Sequence, residues 1–140
     1  MTNENDITLE DLELVRQSFQ RCRTHAEFSD IFYDHLAQQS SEIGPMFAAT
    51  DMVKQNELLQ VGIESLIDFS AGDANVEVEI RRLGVLHDRQ HHATRPELYP
   101  LWVNALVATI GETDSDVTPE ITAAWQRVVA PGIALIGSYY

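Results

Sequence analysis

The stretch Val76–His87, VEVEIRRLGVLH, decides how this chain is read. Val76, Ile80 and Leu83 step by four and three residues, the spacing that stacks side chains on one face of an α-helix. The next position on that face is His87, so the stripe predicts an imidazole pointing into the core at the end of a helix. Position alone leaves two alternatives, a packed and hydrogen-bonded core histidine or a ligand held inside the protein.

Helical spacing continues on both sides. Thr8 with Asp11 three residues on resembles a capping box, and Leu12, Val15 and Phe19 follow it, predicting a helix over 8–23. Phe28, Ile31, Phe32 and Leu36 predict a second over 25–39, broken by Ser40, Ser41, Gly44 and Pro45. A short turn then presents Met46 and Phe47. Asp51 caps a long helix through Leu59, Ile63, Leu66 and Ile67, ended by Ala71, Gly72 and Asp73. Beyond His87 the run DRQHHATR is polar and aperiodic, a connecting loop. Pro96 at a first helical position opens a helix through Leu101, Trp102, Leu106 and Ile110, with Pro100 still in its first turn. Thr118, Pro119 and Glu120 open the last, through Trp125 and Val129 toward Tyr139, with a kink predicted at Pro131 and Gly132. No segment alternates with period two. The helices are unequal and share no heptad, so the fold class is all-α with irregularly packed helices rather than a coiled coil or a regular bundle.

Composition narrows the function. The 140 residues, 44% of them hydrophobic, suit a single domain over 1–140 with one sizeable core. Nine basic against 22 acidic residues give a formal charge of -13, which disfavours nucleic acid and anionic membrane surfaces as partners. Cys22, the only cysteine, excludes an internal disulfide and any multi-cysteine metal centre, and reads as a half-buried helix residue. The polar start MTNENDITLEDLE shows no targeting signal and no apolar run reaches membrane-spanning length, so a cytoplasmic location is the expectation.

At this point a set of motifs matches a family. FSDIFYDHL at Phe28–Leu36, PMF at Pro45–Phe47, KQNELL at Lys54–Leu59, LGVLH at Leu83–His87, RPELYPLW at Arg95–Trp102 and AAW at Ala123–Trp125 stand in its order and spacing. Tyr33 precedes Phe47 by fourteen residues, as that family's distal tyrosine precedes its haem-wedging phenylalanine. Over almost its whole length the chain resembles the bacterial single-domain globins, the group similar to the haem domain of flavohaemoglobins.

The resemblance implies a globin fold around haem b, iron protoporphyrin IX, with a long distal helix and a shorter proximal one. It implies that His87 is the metal ligand, one ring nitrogen on iron and the other donating to a carbonyl or polar neighbour. Phe47 matches the aromatic against the porphyrin, Tyr33 the distal phenol, Gln55 the distal glutamine, and Leu59 the apolar residue that narrows the gas pocket. Because position 55 is not histidine, a pentacoordinate ferrous iron is expected. His91 and His92 lie in the polar loop, where solvation or a propionate contact is the expectation, while His25 and His35 read as surface or capping groups. Arg82, Arg89 and Arg95 are candidate propionate partners. Tyr99 matches a tyrosine near the proximal histidine of flavohaemoglobins. Two departures stand out: two extra residues separate His87 from Pro96, and Ile133–Tyr140 contains no acid to match the family's proximal carboxylate.

The implied ligands are oxygen, nitric oxide and carbon monoxide, and the implied functions are oxygen binding or transport, or nitric oxide dioxygenation with Tyr33 and Gln55 in the catalytic pocket. No Gly-rich dinucleotide fingerprint is present, so turnover needs a separate reductase. A haem-based gas sensor signalling through a partner protein is the alternative, and a haem-free globin serving as an interaction module is a third. A monomer or a homodimer is compatible with either.

Overall fold

The structure is a computed structural model in which residues 7–92 and 94–140 are described. Four of the described helices begin where a threonine or aspartate side chain satisfies orphan backbone donors. Helix α1, Leu9–Arg23, is opened by the predicted capping box: Asp11 N–H donates to Thr8 Oγ1 at 3.0 Å and Thr8 N–H to Asp11 Oδ2 at 3.2 Å. Helix α2, Phe28–Gln39, begins three residues later than the apolar spacing suggests. His25–Glu27 form a turn instead, closed by Phe28 N–H on the His25 carbonyl and Glu27 N–H on His25 Nδ1. The segment expected as a turn carries a four-residue helix α3, Ile43–Met46.

Helix α4, Met52–Ser70, is capped by Asp51, whose Oδ1 accepts from the Val53 and Lys54 N–H groups. It stops at Gly72, where φ is +87°, a left-handed conformation that glycine adopts without steric cost. Asp73 then caps α5, Ala74–Leu86, so that α4 and α5 are joined by three residues. The expected helix start at Pro96 resolves into a 3-10 turn, Pro96–Leu98, followed by α6, Tyr99–Thr113. Pro100 has no N–H for the Pro96 carbonyl, which accepts from Tyr99 instead, the tighter i→i+3 pattern. Helix α7, Pro119–Gly137, is capped by Thr118 and contains Pro131 without any break in the helix.

Among the described residues there is no strand. Helix α1 packs on α7, α2 on α6, and both α4 and α5 on α7. Phe19 sits edge-on to Phe28 and to Trp125, with ring centroids 6.3 and 6.0 Å apart, at the centre of the core. Cys22, expected half-buried, is fully buried there. Beside it Asp114, whose side chain is wholly buried, fastens α1 to the α6–α7 connection: Ser18 Oγ donates to it at 2.6 Å and Arg21 Nη2 at 3.0 Å. Trp125 Nε1 completes the lock by donating to Ser18 at 2.9 Å. No described helix is long and apolar enough to cross a membrane.

Candidate functional site

His87 is the residue that closes α5, with φ -97° and ψ 3°. Its Nδ1 lies 2.7 Å from the Leu83 carbonyl, which can only accept, so Nδ1 carries the proton and Nε2 keeps its lone pair. Burial pushes its pKa below the ordinary histidine range against the opposing effect of the Leu83 bond, and the neighbouring His92 pushes it further down. A neutral imidazole with an oriented ring and a free nitrogen is the state a metal ligand needs. No described protein group hydrogen-bonds Nε2.

The loop after α5 folds back over this end. His92 N–H donates to the Leu86 carbonyl and Thr94 N–H to the His87 carbonyl, both at 3.0 Å. The His92 ring meets the His87 ring edge-on at 5.5 Å, while His91 is turned to Asp88, 2.7 Å away. Of the three arginines, Arg82 is paired with Glu79 at 3.0 Å, Arg95 with Glu42, and Arg89 stands over the Tyr140 ring. His35 pairs with Glu112 across α2 and α6, as a surface group.

Elsewhere in the fold, three of the named residues come together. Tyr33 on α2 is half-buried, its ring 5.4 Å from that of Phe47, which follows α3 directly. Burial pushes the Tyr33 phenol upward, so it is a neutral donor at ordinary pH. Its hydroxyl points to the Gln55 backbone carbonyl at 3.5 Å, a weak bond at the limit of the useful range. Gln55 is half-buried, and Leu59, one turn further along α4, is buried in the core. Neither a hydrogen bond nor an aromatic contact joins His87 to Tyr33, Phe47 or Gln55 among the described residues. The helices that carry His87 and Gln55, α5 and α4, pack against each other.

Tyr99 opens α6 and lies along Gly137 of α7, where an added β-carbon would stand 3.5 Å from its ring. Burial pushes its phenol up to about 12. It has no hydrogen bond to His87, whose one donor is already committed to Leu83. Two surface hollows, a groove of about 390 Å³ along Leu9, Leu12, Arg16 and Ala71 and a smaller one beside Arg23, Asn56 and Glu64, are lined by neither His87 nor Tyr33, Phe47 or Gln55. One contact near the site escaped the sequence, that of the Tyr139 ring with Gly84; a glycine facing the core three residues before His87 was its only trace.

The described helices pack irregularly, a half-buried neutral histidine ends one of them, and a tyrosine, phenylalanine and glutamine gather near the start of its neighbour. No protein-family model matches the sequence, and no match is found among the curated proteins. A solved structure is similar: a protein from Pseudomonas aeruginosa PAO1, described as structurally highly homologous to a human hemoglobin, superposes with a TM-score of 0.89. It shares 40% identity, with 93% of this chain and 98% of that chain covered. The chain belongs to the globins, as a bacterial member of that family.

Proposed function

We propose that this globin, as one cytoplasmic domain spanning residues 1–140, binds haem b and holds diatomic gases, oxygen above all, with a separate reductase supporting conversion of nitric oxide to nitrate. The observation that carries the proposal is His87: a neutral, half-buried imidazole whose Nδ1 is fixed on Leu83 and whose Nε2 has no hydrogen-bond partner among the described residues. The rest of the donor set fits the same group. When bound, haem would supply an iron that takes His87 as its protein ligand and can bind a diatomic gas.

The chain's own residues then do three things. His87, held in one tautomer by Leu83, would be the ligand. Phe47 would pack on the macrocycle and, with Leu59, keep water out of the gas pocket. Tyr33 and Gln55 would offer hydrogen-bond donors, and the long Tyr33 contact with the Gln55 carbonyl leaves that hydroxyl cheap to redirect. Donors in a dry pocket favour a gas that becomes polar on binding over one that does not, so oxygen gains more than carbon monoxide. Tyr33→Phe and Gln55→Leu are each expected to speed oxygen dissociation by about tenfold, the worth of one hydrogen bond, with carbon monoxide release little changed. Rates equal to the parent's in both variants refute the two-donor pocket.

Joining dioxygen and nitric oxide as nitrate leaves the cofactor one electron short, which is why a separate reductase belongs to this proposal. Stopped-flow mixing of the oxygenated protein with nitric oxide is the test. Stoichiometric nitrate formed within the mixing range supports the enzymatic role, and displacement of oxygen without nitrate leaves only gas binding.

A further inference from the structure

Gly84 lies on the buried face of α5, three residues before His87. A β-carbon there would stand 2.8 Å from Cγ and 2.9 Å from Cε1 of Tyr139, closer than carbon atoms pack, so only glycine lets this ring rest on the helix backbone. Tyr139 follows α7, and its backbone N–H is held by the Ile136 carbonyl at 3.2 Å. Its hydroxyl accepts from Arg81 Nη1 at 3.1 Å, and Arg81 in turn bonds Glu77 on α5. The next ring, Tyr140, carries the Arg89 guanidinium 4.6 Å above its centroid. The two tyrosines therefore touch α5 and its following loop on both sides of His87.

The backbone under that ring is the backbone that holds the imidazole. His87 N–H donates to the carbonyls of both Leu83 and Gly84, at 3.0 and 3.2 Å, and its Nδ1 donates to the Leu83 carbonyl. A displacement of residues 83–84 must carry the His87 side chain with it. The family's proximal carboxylate has no counterpart in Ile133–Tyr140, and an aromatic wedge occupies this end of the helix pair instead.

We infer that Tyr139 is a positioning residue for His87: its ring, seated on Gly84, fixes the last turn of α5 and so the depth and tilt at which the imidazole meets the haem. This rests on the haem reading proposed above. The test uses the full chain carrying Tyr139→Leu, Tyr139→Phe or Gly84→Ala, with two measurements. One is amide hydrogen exchange at Gly84–His87 without haem. The other is the iron–histidine stretching band of the ferrous, gas-free protein. Loss of the wedge in Tyr139→Leu and its displacement in Gly84→Ala are expected to speed exchange by about tenfold, as a local opening made easier. Both are expected to shift the stretching band, while Tyr139→Phe, which keeps the ring, matches the parent in both measurements. Parental exchange in Tyr139→Leu overturns the inference, and so does faster exchange with the band unmoved, which would make the contact structural only. Should Tyr139→Leu not fold, Gly84→Ala and Tyr139→Phe carry the same contrast. A parent that takes up no haem sinks the cofactor reading by itself, and the exchange measurement then still decides whether the ring holds the turn.

Discussion

Replacing His87 by alanine is expected to weaken haem binding by at least about 100-fold, because loss of even an outer partner of a metal ligand costs roughly 10–100-fold. Neither neighbouring imidazole is expected to replace it. His91 is committed to Asp88, and His92 stands in the exposed loop with its ring edge-on to that of His87. Titration with hemin, followed by absorption, measures the loss. Added imidazole should restore a parent-like ferrous spectrum by filling the space the side chain left. A variant whose ferrous spectrum matches the parent's without imidazole would put the ligand elsewhere.

The second large effect concerns stability rather than chemistry. Asp114→Ala leaves Ser18, with Trp125 bonded to it, and Arg21 without the carboxylate that joins them, inside the contact between α1 and the α6–α7 connection. Removing one member of a buried charged cluster typically costs 3–5 kcal/mol, and because Arg21 keeps partial access to water a loss of about 3 kcal/mol is expected in urea unfolding. A loss under about 1 kcal/mol would mean that the cluster contributes no more than a surface pair. Burial raises the pKa of Asp114, but the bonds from Arg21, Ser18 and the Asp116 N–H outweigh it and hold the group below the ordinary value. With a depressed folded value, its stabilisation is present above the unfolded value near 3.8 and is lost as pH falls through the folded one. Below that window the parent and Asp114→Ala curves should converge.

What the sequence revealed and what it hid differ by the range of the interactions involved. Caps are local, so Thr8 with Asp11, Asp51 and Thr118 could be read as helix starts, and each binds the backbone groups its position predicts. The α2 start was misplaced, and the helical start at Pro96 holds but with a 3-10 first turn. His25–Glu27 prefer a turn closed by the His25 ring, and the pair Pro96 and Pro100 removes the donor that an α-helical first turn would use. The Asp114 lock spans more than ninety residues and leaves no periodic signal, which is also why Cys22 beside it looked half-buried.

The candidate site was legible in two different ways. The stripe through Ile80 and Leu83 indicated from physics alone that His87 turns inward, although it could not choose between core residue and ligand. Tyr33, Phe47 and Gln55 lie on three separate elements, and only the family resemblance joined them before the structure set Tyr33 beside Phe47 and the Gln55 carbonyl. Gly84 and Tyr139 sit 55 residues apart, and nothing in the local pattern of either pairs them.

His87 is proposed to hold haem in this chain as the one protein ligand of a pentacoordinate ferrous iron. The absorption spectrum of the purified protein, recorded after reconstitution with hemin in ferric, deoxygenated, oxygenated and carbonyl forms, tests it most directly. A Soret band is expected in all four, with a pentacoordinate high-spin signature in the deoxygenated form and distinct oxygen and carbon monoxide adducts. No Soret band after hemin is added, or a deoxygenated form already six-coordinate, would contradict it.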